Sequence, residues 1–63
     1  MEKKVDVLYA EDDDKMASVV KKLLEDNEFY VRIACDGRRA WDIFQRSIPD
    51  LLLLDLEMPR KDG

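Results

Sequence analysis

Four consecutive leucines, Leu51–Leu54, run without a polar interruption into Asp55. A strand formed by such a segment carries apolar side chains on both of its faces. That is the pattern of a parallel strand covered on two sides, whereas a half-solvated antiparallel strand alternates apolar and polar positions. The rest of the chain must therefore supply cover for a sheet, and the fold class follows from how it does so.

Val5, Val7 and Tyr9 alternate with Asp6, Leu8 and Ala10, so a first strand over Val5–Ala10 has only Asp6, near its start, as a polar position. It runs straight into Glu11, Asp12, Asp13 and Asp14. From about residue 15 to residue 26, Met16, Val19, Val20, Leu23 and Leu24 fall at the i, i+3, i+4, i+7, i+8 spacing that predicts a helix with one apolar face. Met16 is then core filler, Asp14 or Asp13 suits the N-cap, and Asn27 suits a left-handed turn after the last residue. A second strand is expected over residues 30–34, with Val31 and Ile33 on one face and Arg32 between them. Asp36-Gly37 opens a second helix over about residues 38–46, whose Ala40, Trp41, Ile43 and Phe44 form the buried side, and Pro49 stops it. Strands alternating with helices make a parallel α/β sheet joined by right-handed crossovers. If the strand order reverses at the first strand, one helix lies on each face. If it keeps one direction, both helices share a face.

At 63 residues with one cysteine and no histidine, the chain has neither an internal disulfide nor a structural zinc site to offset its small core. Independent folding is expected to be marginal. The lack of histidine also removes Ser-His-Asp and Cys-His catalysis, so any phosphohistidine must come from a partner. Eleven basic against 15 acidic residues, with the basic ones dispersed, argue against a nucleic-acid footprint. The first apolar run is broken by Asp6 and ends in four carboxylates, which fits neither a signal peptide nor a membrane span. A cytoplasmic chain with Cys35 reduced is the expectation.

The chemistry sits where strands end. In open α/β sheets, ligands bind at the carboxyl ends of the strands, where the strand order reverses. Glu11 and Asp12 follow the first strand and Asp55 follows the third; if those strands are neighbours, the three carboxylates converge. Mutual repulsion then invites a hard divalent cation, and Mg²⁺ fits, being held by one or two carboxylates with several waters retained. Taken alone, Glu11 to Asp14 reads equally well as a solvated helix start favoured by the macrodipole, and Asp55 as a turn residue. Trp41 and Phe44 read as core or as part of an exposed patch, and Lys21-Lys22 as a solvated helix face.

These residues carry a resemblance. The strand ending in Glu11-Asp12, the helix from Met16 to Leu24, Asp36-Gly37-Arg38-Arg39-Ala40-Trp41, Pro49-Asp50, and Leu54-Asp55-Leu56-Glu57-Met58-Pro59 with Asp62-Gly63 together resemble the N-terminal half of a response-regulator receiver domain. The resemblance implies a flavodoxin-like parallel sheet with strand order 2-1-3 in the part present. It implies a phosphoacceptor at Asp55, served by a sensor histidine kinase or a phosphotransfer protein. Glu11 and Asp12 match the acidic pair that holds Mg²⁺, and the backbone carbonyl of Glu57 matches a further contact on the metal. Residues 1–63 read as the first part of such a domain, ending after the phosphoacceptor loop. The family's later Thr or Ser, its Lys and its output aromatic have no counterparts here, Lys61 stands where a small apolar residue is common, and Glu28 stands where many members have Gly. The expected product is a phosphorylation switch rather than an enzyme. The alternative is a half-domain that self-associates through an unpaired strand edge or swaps into a homodimer. A third reading, a Mg²⁺-dependent phosphatase with an aspartyl nucleophile, has Glu57 two residues beyond Asp55 in its favour and the Met58-Pro59 turn against it.

Overall fold

The computed structural model describes residues 3–55. The elements follow in the expected order: β1 (Val5–Ala10), α1 (Asp14–Asp26), β2 (Phe29–Ala34), α2 (Gly37–Arg46) and β3 (Leu51–Leu54). The strands form one parallel sheet in the order β2-β1-β3. The order reverses at β1, which places the helices on opposite faces.

Registry explains the division of the core. Val7 pairs with Val31 and Leu51, and Tyr9 with Ile33 and Leu53, so these side chains share one face of the sheet. All but Leu51 pack with Ala17, Val20 and Leu24 of α1. Leu8 and Ala10, one residue out of phase, face the other way and meet Ala34 together with Ala40, Ile43 and Phe44 of α2. Val7 and Leu8 are fully buried because β1 is both the central strand and the one covered on each face.

Of the two N-cap candidates for α1, Asp13 is the one used: its backbone is extended and its side chain accepts from the amides of Lys15 and Met16 at 2.9 and 3.3 Å. Two other expectations about α1 need correction. The left-handed residue is Glu28, at φ 70°, and Asn27 stays at φ −105°. A Cβ is disfavoured in that conformation, so glycine would be the less strained residue at position 28. The apolar face of α1 is also wider than its buried stripe. Ala17, Val20 and Leu24 face the sheet, while Met16, Val19 and Leu23 remain 49%, 63% and 60% exposed. Met16 is therefore not core filler.

α2 is capped as expected, with Asp36 accepting from the Arg39 amide at 2.8 Å. Ala40 is buried, and Trp41 is exposed, stacked on Phe44 at a centroid distance of 5.8 Å. Lys21 and Lys22 form i, i+4 ion pairs with Glu25 and Asp26 on the solvated side of α1. β3 is not covered on both faces, as its composition suggested. It is an edge strand among the described residues, with Leu51, Leu52 and Leu54 exposed and Leu53 half-buried. At the amino ends of the strands, Asp6 holds the layers together. Its carboxylate accepts from the Arg32 guanidinium at 3.1 and 3.0 Å, its amide donates to Asp50 Oδ2 at 2.9 Å, and Arg32 also donates to the Ser47 carbonyl at 3.0 Å. The polar interruptions at Asp6 and Arg32 are thus partners across β1 and β2.

Candidate functional site

The acidic residues collect at the opposite, carboxyl end of the sheet. The amide of Glu11 donates to the Ala34 carbonyl at 2.9 Å, extending the β1–β2 ladder by one residue, and the amide of Asp55 donates to the Ala10 carbonyl at 3.2 Å on the β3 side. Both residues are therefore fixed by the backbone of neighbouring strands. Asp12 follows Glu11 into the turn before α1. Carboxylate oxygens of Glu11, Asp12 and Asp55 lie within 4.8 Å of one another. They line an open cavity of about 400 Å³ together with Tyr9, Asp13 and Met16.

The three carboxylates differ in setting. Glu11 is 5% exposed, Asp55 is half-buried and Asp12 faces solvent. A buried carboxylate needs hydrogen-bond donors. Glu11 has two: the Tyr9 hydroxyl donates to Oε1 at 2.8 Å and the Asp13 amide donates to Oε2 at 3.2 Å. Burial pushes the Tyr9 hydroxyl up to about 12, with its bond to Glu11 and the negative charges of Glu11, Asp55 and Asp13 acting in the same direction. The phenol is thus a fixed donor at neutral pH.

This donor set suits a hard cation. All three side chains offer oxygen, and the ligands of an octahedral Mg²⁺ at about 2.1 Å from the ion are roughly 3 Å apart when adjacent and about 4.2 Å when opposite. A 4.8 Å spread reaches that range with small side-chain rotations or with one carboxylate acting through a retained water. Of the residues singled out from sequence, Glu11, Asp12 and Asp55 come together, while Glu57 lies outside the described residues. Sequence reasoning missed Tyr9 as a site residue and placed Met16 in the core. Tyr9 could have been found from its spacing, because positions i and i+2 of an extended chain share a face and put its ring beside Glu11.

A doubly wound parallel sheet with carboxylates gathered at the carboxyl ends of the two strands flanking its reversal point defines an α/β switch-point module with an acidic, oxygen-donor site. A family model, the response regulator receiver domain, matches residues 7–63. The transcriptional regulatory protein CpxR of Escherichia coli K12 is 47% identical over 57 residues, which cover 90% of this chain and 24% of that protein. Response regulator MprA of Mycolicibacterium vanbaalenii is 37% identical over 59 residues, covering 94% and 26%. Response regulator Rre1 of Synechocystis is 33% identical over 64 residues, covering 100% and 28%. No solved structure matches the chain. The chain belongs to the response regulator receiver family, whose members are phosphorylation-switch domains of two-component signalling. It spans about a quarter of the length of these relatives. No helix among the described residues is long and apolar enough to cross a membrane.

Proposed function

We propose that the chain supplies the phosphoacceptor site of a receiver module, taking a phosphoryl group onto Asp55 from a sensor histidine kinase or a phosphotransfer protein. The observation that carries this reading is the convergence of Asp55 with Glu11 and Asp12 at the carboxyl end of the sheet. A carboxylate oxygen of Asp55 attacks the phosphorus of the donor's phosphohistidine. The new O–P bond forms as the P–N bond breaks, and the imidazole leaves with the electron pair and takes up a proton, leaving an acyl phosphate on Asp55. Glu11 and Asp12, with Asp55, would hold Mg²⁺, which when bound offsets the charge of the transferring phosphoryl oxygens. The backbone carbonyl of Glu57 is a further proposed contact. Residues 1–63 then form the first part of the receiver unit, acting in the cytoplasm.

The test is labelling by acetyl phosphate in the presence of Mg²⁺, applied to this chain together with any sequence that adjoins it in the natural protein. Asp55→Asn is expected to abolish the acid-stable, base-labile label. Retention of the label in that variant overturns the assignment.

A second reading is favoured by the exposed edge of β3, where Leu52 and Leu54 lie beside Trp41 and Phe44 around an apolar groove of about 270 Å³. In this reading the 63-residue chain pairs with a second copy and does no phosphoryl chemistry. A monomeric solution mass by light scattering rules it out.

A further inference from the structure

We infer that Tyr9 is a positioning residue for the metal-binding carboxylate of Glu11, its hydroxyl fixing the orientation in which Glu11 faces Asp12 and Asp55. The inference rests on the reading of Glu11 as a cation ligand and adds to it a residue that neither the carboxylate pattern nor the family resemblance singled out.

The Tyr9 ring is 7% exposed, packed with Val7, Ala17 and Val31 between the sheet and α1. Its place is set by the core, so the hydroxyl is a rigid donor. It reaches Glu11 Oε1 at 2.8 Å, while the Asp13 amide, at the start of α1, reaches Oε2 at 3.2 Å. The Glu11 carboxylate is thereby held from both sides, by a strand side chain and by a helix-cap amide. A carboxylate accepts at about four lone-pair positions, so roughly two remain for a cation or its waters. Without the phenol, a three-torsion side chain would have to be ordered at the moment of binding, and its Oε1 would lose this donor in a site where Glu11 is 5% exposed. Partners that orient a ligand in this way contribute roughly 10- to 100-fold in metal affinity.

Such a constraint leaves a signature that packing alone does not. Mg²⁺ demands near-ideal octahedral geometry, whereas Ca²⁺ accepts irregular shells of about six to eight oxygens. Loosening Glu11 is therefore expected to weaken Mg²⁺ more than Ca²⁺. In a Tyr30→Phe background, which removes the other, exposed tyrosine, Mg²⁺ and Ca²⁺ are titrated by calorimetry into the parent and into Tyr9→Phe, on the chain with any adjoining natural sequence. The expected result is a loss of about tenfold in Mg²⁺ affinity with a smaller change for Ca²⁺. The loss should vanish when the same change is made in Glu11→Gln. Equal Mg²⁺ affinity in parent and Tyr9→Phe overturns the role of Tyr9 and leaves the metal site standing. Failure of the parent itself to bind Mg²⁺ overturns both. A variant too unstable to titrate is covered by a measurement on the parent: Mg²⁺ drawing charge from Glu11 weakens its pull on the phenol proton and perturbs the tyrosine near-ultraviolet band. Absence of that perturbation on saturation with Mg²⁺ overturns the inference.

Discussion

Replacing Asp12 by Asn is expected to stabilise the protein when divalent metal is absent and to make it less stable than the parent when Mg²⁺ is present. Asp12 is the exposed member of the trio, with oxygens within 4.8 Å of the other two; at that distance in water each pair repels by about 0.9 kcal/mol, and screening at about 0.1 M salt reduces this to about 0.5 kcal/mol. Two pairs, to Glu11 and Asp55, give about 1 kcal/mol, of which the positive end of α1, which begins two residues beyond Asp12, offsets about half. The net gain for Asp12→Asn is about 0.5 kcal/mol, a rise of about 0.5 M in urea midpoint for a slope of about 1 kcal/mol per molar. With Mg²⁺ at about ten times the parent's Kd, binding adds about 1.4 kcal/mol to the parent and less than about 0.1 kcal/mol to a variant weakened about a hundredfold. The order of stability then reverses, with the parent ahead by about 0.8 kcal/mol. Urea unfolding followed by circular dichroism, in EDTA and in MgCl₂ at fixed ionic strength, reads both differences. The same order under both conditions would refute the reasoning, because it would mean that the three charges either do not repel or do not share a cation.

Leu8→Ala, at a fully buried position between β1 and α2, should cost about 3 kcal/mol, enough to unfold most of a marginal domain, as read by the urea midpoint. A loss below about 1 kcal/mol would mean that α2 does not hold the leucine. Glu28→Gly should raise stability by about 0.5 kcal/mol, since it relieves a left-handed residue at φ 70° at the cost of extra freedom in the unfolded chain; a measured loss would contradict the backbone assignment. The Arg39 amide, opposed by desolvation and aided by the Arg38 amide, the Arg39 charge and the Cys35 thiol, holds Asp36 below its ordinary value of 3.8. The unfolded chain therefore binds the proton first, and this stabilisation is present above pH 3.8 and lost as pH falls through the lower folded value. Asp36→Asn, which keeps a good cap, should flatten that part of the acid-unfolding curve; an unchanged curve would remove Asp36 from the acid response.

The secondary structure was legible because each element carried its own period. β1 and β3 began and ended at the expected residues, and the other elements shifted by a residue at one end. What periodicity did not convey was which part of an apolar face finds cover. Met16, Val19 and Leu23 share the helical stripe of Ala17, Val20 and Leu24, yet only the second set meets the sheet. The leucines of β3 show the same limit, because composition reports what a strand is able to bury and tertiary context decides whether anything lies against it. Caps were legible as residue types but not to the residue. Asp13 and Asp14 are equally good acceptors by chemistry, and the choice is made where the chain leaves the extended conformation after Glu11.

The site depended on one fact that the residues alone left open, the order of the strands. Neighbouring strands are about 4.8 Å apart, so a sheet that kept one direction would have put β2 between β1 and β3 and separated Asp55 from Glu11 by about 10 Å. The resemblance supplied the reversal, and the pairing of β1 with both neighbours bears it out. Once β1 is central, its end must carry the chemistry. Its carbonyl at Ala10 accepts the amide of Asp55, its next amide reaches Ala34, and the residue between these two bonds and the turn is Glu11. The buried carboxylate is thus placed by the sheet itself, and the same alternation that sends Leu8 toward α2 sends Tyr9 toward α1, within reach of it. Strand order brings the charges together, and the pleat supplies the donor that orients one of them.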